Sequence, residues 1–103
     1  MSIRIRIGQE ERDTAQADEH WIISKIRQEE ANHGSVCIRV FIKVGDIDIT
    51  LSSGGCPSGA GGGRQARPKE QELLDLWNKF DLNTSDVTGG KINAFLHQIR
   101  RII

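Results

Sequence analysis

The sequence predicts an α+β fold: a three-stranded antiparallel-type sheet with one helix packed on it (β-α-β-β), then a Gly-rich loop and a C-terminal two-helix hairpin. Three patterns carry this expectation. Isoleucine alternates with arginine at the N-terminus, and two further alternating segments flank Gly45-Asp46. Beyond a glycine-rich run, apolar residues recur instead at three- and four-residue intervals. A period of two marks a half-buried strand, and a period near 3.6 marks an amphipathic helix.

In chain order, Ile3, Ile5 and Ile7 fall on one face of the first strand and Arg4 and Arg6 on the other, with Gly8 as its stop. Glu10 to Asn32 lacks glycine and proline, and Ala15, Trp21, Ile22, Ile26 and Ala31 fit a helical stripe. Acidic residues crowd its start, as suits the positive end of a helix dipole. Asn32-His33-Gly34 supplies the stop, with Gly34 as a left-handed cap. Val36, Ile38, Val40, Ile42 and Val44 then alternate with Cys37, Arg39, Phe41 and Lys43. Ile47, Ile49 and Leu51 alternate with Asp48 and Thr50, and Gly45-Asp46 between the two segments is a glycine-first hairpin signal.

The expected organisation is a sheet–helix body over 1–51, a loop or linker over 52–67 and a helical hairpin over 68–103 packing on the same core. Six of the eleven glycines fall between Gly54 and Gly63. Arg67-Pro68-Lys69 opens a helix with proline in its first turn. Leu73, Leu74, Trp77 and Phe80 form its stripe, and Ile92, Phe95, Leu96, Ile99, Ile102 and Ile103 form the stripe of the last helix. Short amphipathic helices cannot hide such stripes alone, so they pack on each other or on the sheet.

Composition narrows the function classes. A chain of 103 residues has room for one domain, and its formal net charge of zero gives no global field to draw in nucleic acid or membrane. No apolar run is long enough to span a bilayer. Two cysteines are too few for a disulfide framework and no secretory leader is recognisable, so the expected setting is cytoplasmic and reducing, with both thiols free.

Four segments were candidates for chemistry. The loop around Gly54, Gly55, Cys56, Gly61, Gly62 and Gly63 has the order of a phosphate cradle, strand before and helix after. It lacks the Gly-Lys-Ser/Thr that places backbone N–H groups at a helix start, since Gly63-Arg64-Gln65 stands there. Cys56 has His20, His33 and His97 as conceivable bases, yet none sits in a nucleophile pattern, and the spacing suits no zinc site. Asp81, Asn83 and Ser85 alternate as in a calcium loop, but Asp86 and Ile92 replace the turn glycine and the bidentate glutamate. Thr84, Ser85 and Thr88 are better read as turn and cap residues. Finally, Arg4, Arg6, Arg39 and Lys43 surround Phe41 on the solvent face of the sheet, where Asp48 and Thr50 can pair with them.

No catalytic set, metal site or cofactor is expected. The leading expectation is a small non-catalytic interaction protein, adaptor-, inhibitor- or regulator-like, binding another protein or itself through Trp77, Phe80, Phe95, Ile99, Ile102 and Ile103. The alternative is a nucleic-acid binder using Arg4, Arg6, Arg39, Phe41 and Lys43, with Arg64, Arg67 and Lys69 as phosphate contacts. A second alternative is an enzyme dependent on Cys56.

Overall fold

A computed structural model describes residues 2–56, 67–84 and 87–102. Its elements are β1 (Ser2–Ile7), β2 (Glu10–Asp13), α1 (Glu19–His33), β3 (Ile38–Val44), β4 (Ile47–Ser52), α2 (Pro68–Lys79) and α3 (Gly89–Ile102). The α+β class agrees with the sequence. The sheet, however, has four antiparallel strands rather than three, in the order β2-β1-β3-β4.

The additional strand is β2, which occupies what the sequence pattern assigned to the first turns of the helix. Ile7 pairs with Glu10, so Gly8-Gln9 is a two-residue connection, and Gly8 sits at φ 64°. This is the same glycine-first device as Gly45-Asp46, where Val44 pairs with Ile47 and Gly45 has φ 56°. Glu-Glu-Arg-Asp has no alternating apolar residues because an edge strand this exposed buries none. Side chains hold it instead: Glu10 reaches Lys25 at 3.0 Å, Glu11 reaches Arg4 at 2.8 Å, and the Arg12 guanidinium lies 4.6 Å from the Trp21 ring centroid. The Asp13 carboxylate accepts from Ala15 N, turning the chain, and Asp18 caps α1 by accepting from Trp21 N at 2.8 Å. Gly34 ends α1 in the left-handed conformation, as the sequence implies.

The inward positions of β1, β3 and β4 are apolar, while β2 turns Glu10 and Arg12 toward α1. Ile3, Ile5, Ile7, Ile38, Val40, Ile42 and Leu51 are buried, and they share one cluster with Ile22 and Ile26 of α1, Leu73 and Trp77 of α2, and Ile92, Phe95, Leu96 and Ile99 of α3. Trp77 and Phe95 meet edge to face, 5.1 Å between ring centroids. The hairpin stripe is therefore core. Trp77, Phe95 and Ile99, expected as binding residues, are at most 2% exposed, because the sheet and α1 leave apolar surface that only these side chains cover. Phe80 and Ile102 are half-buried, and Ile103 lies outside the described residues.

The helices also close the β4 edge. Glu70, fully buried, accepts from Asp48 N and from Arg67 N, both at 3.0 Å. Trp77 Nε1 donates to Ser52 O at 3.2 Å, and Arg67 Nη1 donates to Asp46 O. Outward backbone groups that could template another strand are thus occupied by α2. After α2, Asp81 at φ 55° allows Asp81 N to reach Asn78 O and Leu82 N to reach Trp77 O, a Schellman-type closure that turns Leu82 into the core.

Two substitutions test these joints. Glu70→Ala removes two charge-assisted hydrogen bonds whose donors lie in residues that water can reach, so it should lower stability by about 1–3 kcal/mol, read from denaturant unfolding. Asp81→Gly should leave stability unchanged or raise it, whereas Asp81→Val should lower it by about 1 kcal/mol or more in the same assay, because a β-branched residue resists positive φ.

Candidate functional site

With the helices gathered on the apolar side, the other face of the sheet carries no helix among the described residues, and the strand register decides what it displays. Arg4 stands opposite Phe41, Arg6 opposite Arg39 and Ser2 opposite Lys43. On the far side of β3, Phe41 faces Thr50, Lys43 faces Asp48 and Arg39 faces Ser52. The register thus brings together all five sheet residues of the predicted basic face, with Phe41 half-buried near its centre. Arg67 and Lys69 do not join them. Arg67 is committed to the hairpin tip at Asp46, Lys69 lies 3.8 Å from Glu72 on α2, and Arg64 is outside the described residues.

The face is mixed in charge. Glu11 and Asp13 from β2 and Asp48 from β4 share it with the four cations, and Arg4 donates to Glu11 at 2.8 Å. The distribution is uneven, however. Glu11 is the register partner of Arg6 but turns to Arg4, so among the described residues neither Arg6 nor Arg39 has a carboxylate in ion-pair contact. Two arginines directly opposite each other across neighbouring strands repel.

That end of the face opens into a cleft of about 360 Å³, lined by Arg6, Arg39, Gly8, His33, Ser35 and Gly55 among others. Glu29, largely buried, also lines it, 3.4 Å from His33. It packs so closely on Gly8 that a Cβ there would fall 1.5 Å from its Oε1. The lining is also tight at Gly55, where a Cβ would fall 2.3 Å from Val36 O.

The start of the glycine run belongs to this lining, which corrects its reading as a joint beginning at residue 52. Ser52 ends β4, Ser53 N donates to Ile38 O, and Ile38 N donates to the buried Ser53 hydroxyl. Gly54 N donates to Thr84 O. Cys56 is disulfide-bonded to Cys37, 19 residues away, so the expectation of two free thiols fails. The cause is topological: antiparallel pairing brings the residues before β3 beside those after β4. A Cys56 nucleophile would first require reduction, and the cysteine count no longer argues for a reducing compartment. Gly61, Gly62 and Gly63 lie outside the described residues.

Near α3, Thr88 Oγ1 accepts from Lys91 N and Thr84 Oγ1 donates to Asp81 O, in keeping with turn and cap roles. Among the described residues no group of three or more His, Cys, Asp or Glu side chains could hold a metal ion, and no helix is long and apolar enough to cross a membrane. Comparison with protein-family models, curated proteins and solved structures finds no match to this chain.

The disulfide has a measurable consequence. The untreated protein should yield no titratable thiol under denaturing conditions, and reduction, or the paired change Cys37→Ser with Cys56→Ser, should cost about 3 kcal/mol in denaturant unfolding, the value for a loop of this length.

Proposed function

We propose that this chain is a small non-catalytic binding protein that engages an acidic segment of another protein on the open face of its sheet. The observation that carries the reading is Phe41 set among Arg4, Arg6, Arg39 and Lys43 on a face that none of the described helices covers. Aromatic and arginine side chains are the residue types that most often anchor protein interfaces. The sheet edges offer a partner less: β2 is short and charged, and α2 occupies backbone groups along β4.

Charge distribution favours a protein over a nucleic acid. A phosphate backbone needs an unbroken basic track, and Glu11, Asp13 and Asp48 interrupt this one. A polypeptide can place its carboxylates against Arg6, Arg39 and Lys43 and an apolar side chain on Phe41. The single aromatic also falls short of the stacking platform on which RNA-binding sheets rely.

The test is affinity capture with the full chain and with a Phe41→Ala, Lys43→Glu double variant, beside a Lys79→Glu control on exposed α2 surface. A partner retained by the parent and control but lost from the double variant, with binding weakened by salt, is the expected result. Capture insensitive to the double change would refute the sheet-face reading, and tight low-salt binding of a single-stranded oligonucleotide would favour the nucleic-acid alternative.

A further inference from the structure

The cleft at the Arg6–Arg39 end of the sheet has a chemistry of its own. We propose that it binds a phosphate monoester dianion between the two guanidinium groups. This goes beyond the protein-binding reading, because it assigns a specific small ligand group to two of the cations on that face.

Arg6 and Arg39 face each other across β1 and β3 with like charge, an arrangement that costs stability when nothing lies between them. Glu11, the register partner of Arg6, is bonded to Arg4 instead, and Lys43 faces Asp48 in register, whereas the register partners of Arg39 are Arg6 and Ser52. The like pair sits where the face opens into the cleft, so an anion entering there relieves the repulsion and gains two planar forks of N–H donors. Ser35 adds a hydroxyl donor to the lining. Among the described residues Glu29 is the one carboxylate lining this space; it lies against Gly8 and is directed to His33.

Charge and size select the ligand class. Two guanidinium groups balance a dianion, which a phosphate monoester provides at neutral pH and a nucleic-acid diester does not. A volume near 360 Å³ is at the small end for ligand pockets and admits a phosphate with a short substituent. The lining is built to close tolerance at Gly8 and Gly55, and the Cys37–Cys56 bond ties the Gly55 side to the start of β3.

The test is an NMR titration of the full, disulfide-bonded chain with inorganic phosphate and, separately, with a phosphoserine peptide. Saturable shifts of the Gly8 and Gly55 amides and of Arg6 and Arg39 Nε are expected with at least one probe. Arg6→Gln or Arg39→Gln should weaken binding about tenfold, the loss of one charged hydrogen-bonding group, while Arg101→Gln on exposed α3 surface should not change it. Both arginines are only partly buried, and amide spectra of the variants verify that they fold. Equal affinity for the two probes assigns the site to free phosphate or its small esters; markedly tighter peptide binding assigns it to a phosphorylated side chain. No saturable shift at the cleft with either probe, or unchanged affinity when both arginines are replaced, overturns the proposal. Neither result depends on the capture experiment, so the cleft and the sheet-face reading fail separately.

Discussion

The structure depends on one constraint: a four-stranded sheet with a single apolar face is wider than one helix can cover. Four strands about 4.8 Å apart span close to 20 Å, about twice the diameter of an α-helix with its side chains. α1 alone, with Ile22 and Ile26 as its buried residues, leaves part of the isoleucine surface in water. The C-terminal helices supply what is missing, with Leu73, Trp77, Ile92, Phe95, Leu96 and Ile99 completing a single cluster. Their amphipathic stripes are explained by this need, and a partner chain is not required to account for them.

The same constraint frees the other face. Because the isoleucine, valine and leucine side chains of the sheet point one way, the period of two sends Arg4, Arg6, Arg39, Phe41 and Lys43 the other way, and the antiparallel register places them side by side. Packing thereby separates two tasks. The helical side holds the fold, through burial and through the Glu70 and Trp77 contacts that seal β4. The open side carries charge and one aromatic, and it can change without disturbing the core.

Much of this was legible in the residues. The alternating segments gave β1, β3 and β4 their faces, and Gly34 and Gly45 marked turns that the backbone realises at positive φ. β2 was not legible, since its four residues are nearly all exposed and lack any apolar rhythm; the Gly8-Gln9 connection was its only signal. The hairpin stripe was visible as a stripe, yet whether Trp77, Phe95 and Ile99 face a partner or their own core depends on how much sheet they must cover. The Cys37–Cys56 bond was equally hidden, because spacing in sequence does not report which strand ends meet.

What the sequence determined by itself was local: which segments are strands and helices, where they cap, and which side chains share a face, since periodicity follows from backbone geometry alone. Tertiary structure decided the rest. Pairing β1 with β3 set Arg6 against Arg39, pairing β1 with β2 brought Glu11 to Arg4, and the two together placed Arg6 and Arg39 in a cleft with Gly8 and Gly55. Those are contacts between residues more than thirty positions apart or across a turn, and their existence rests on strand order and register. No local pattern encodes that order; it follows from the requirement that every apolar face find cover at once.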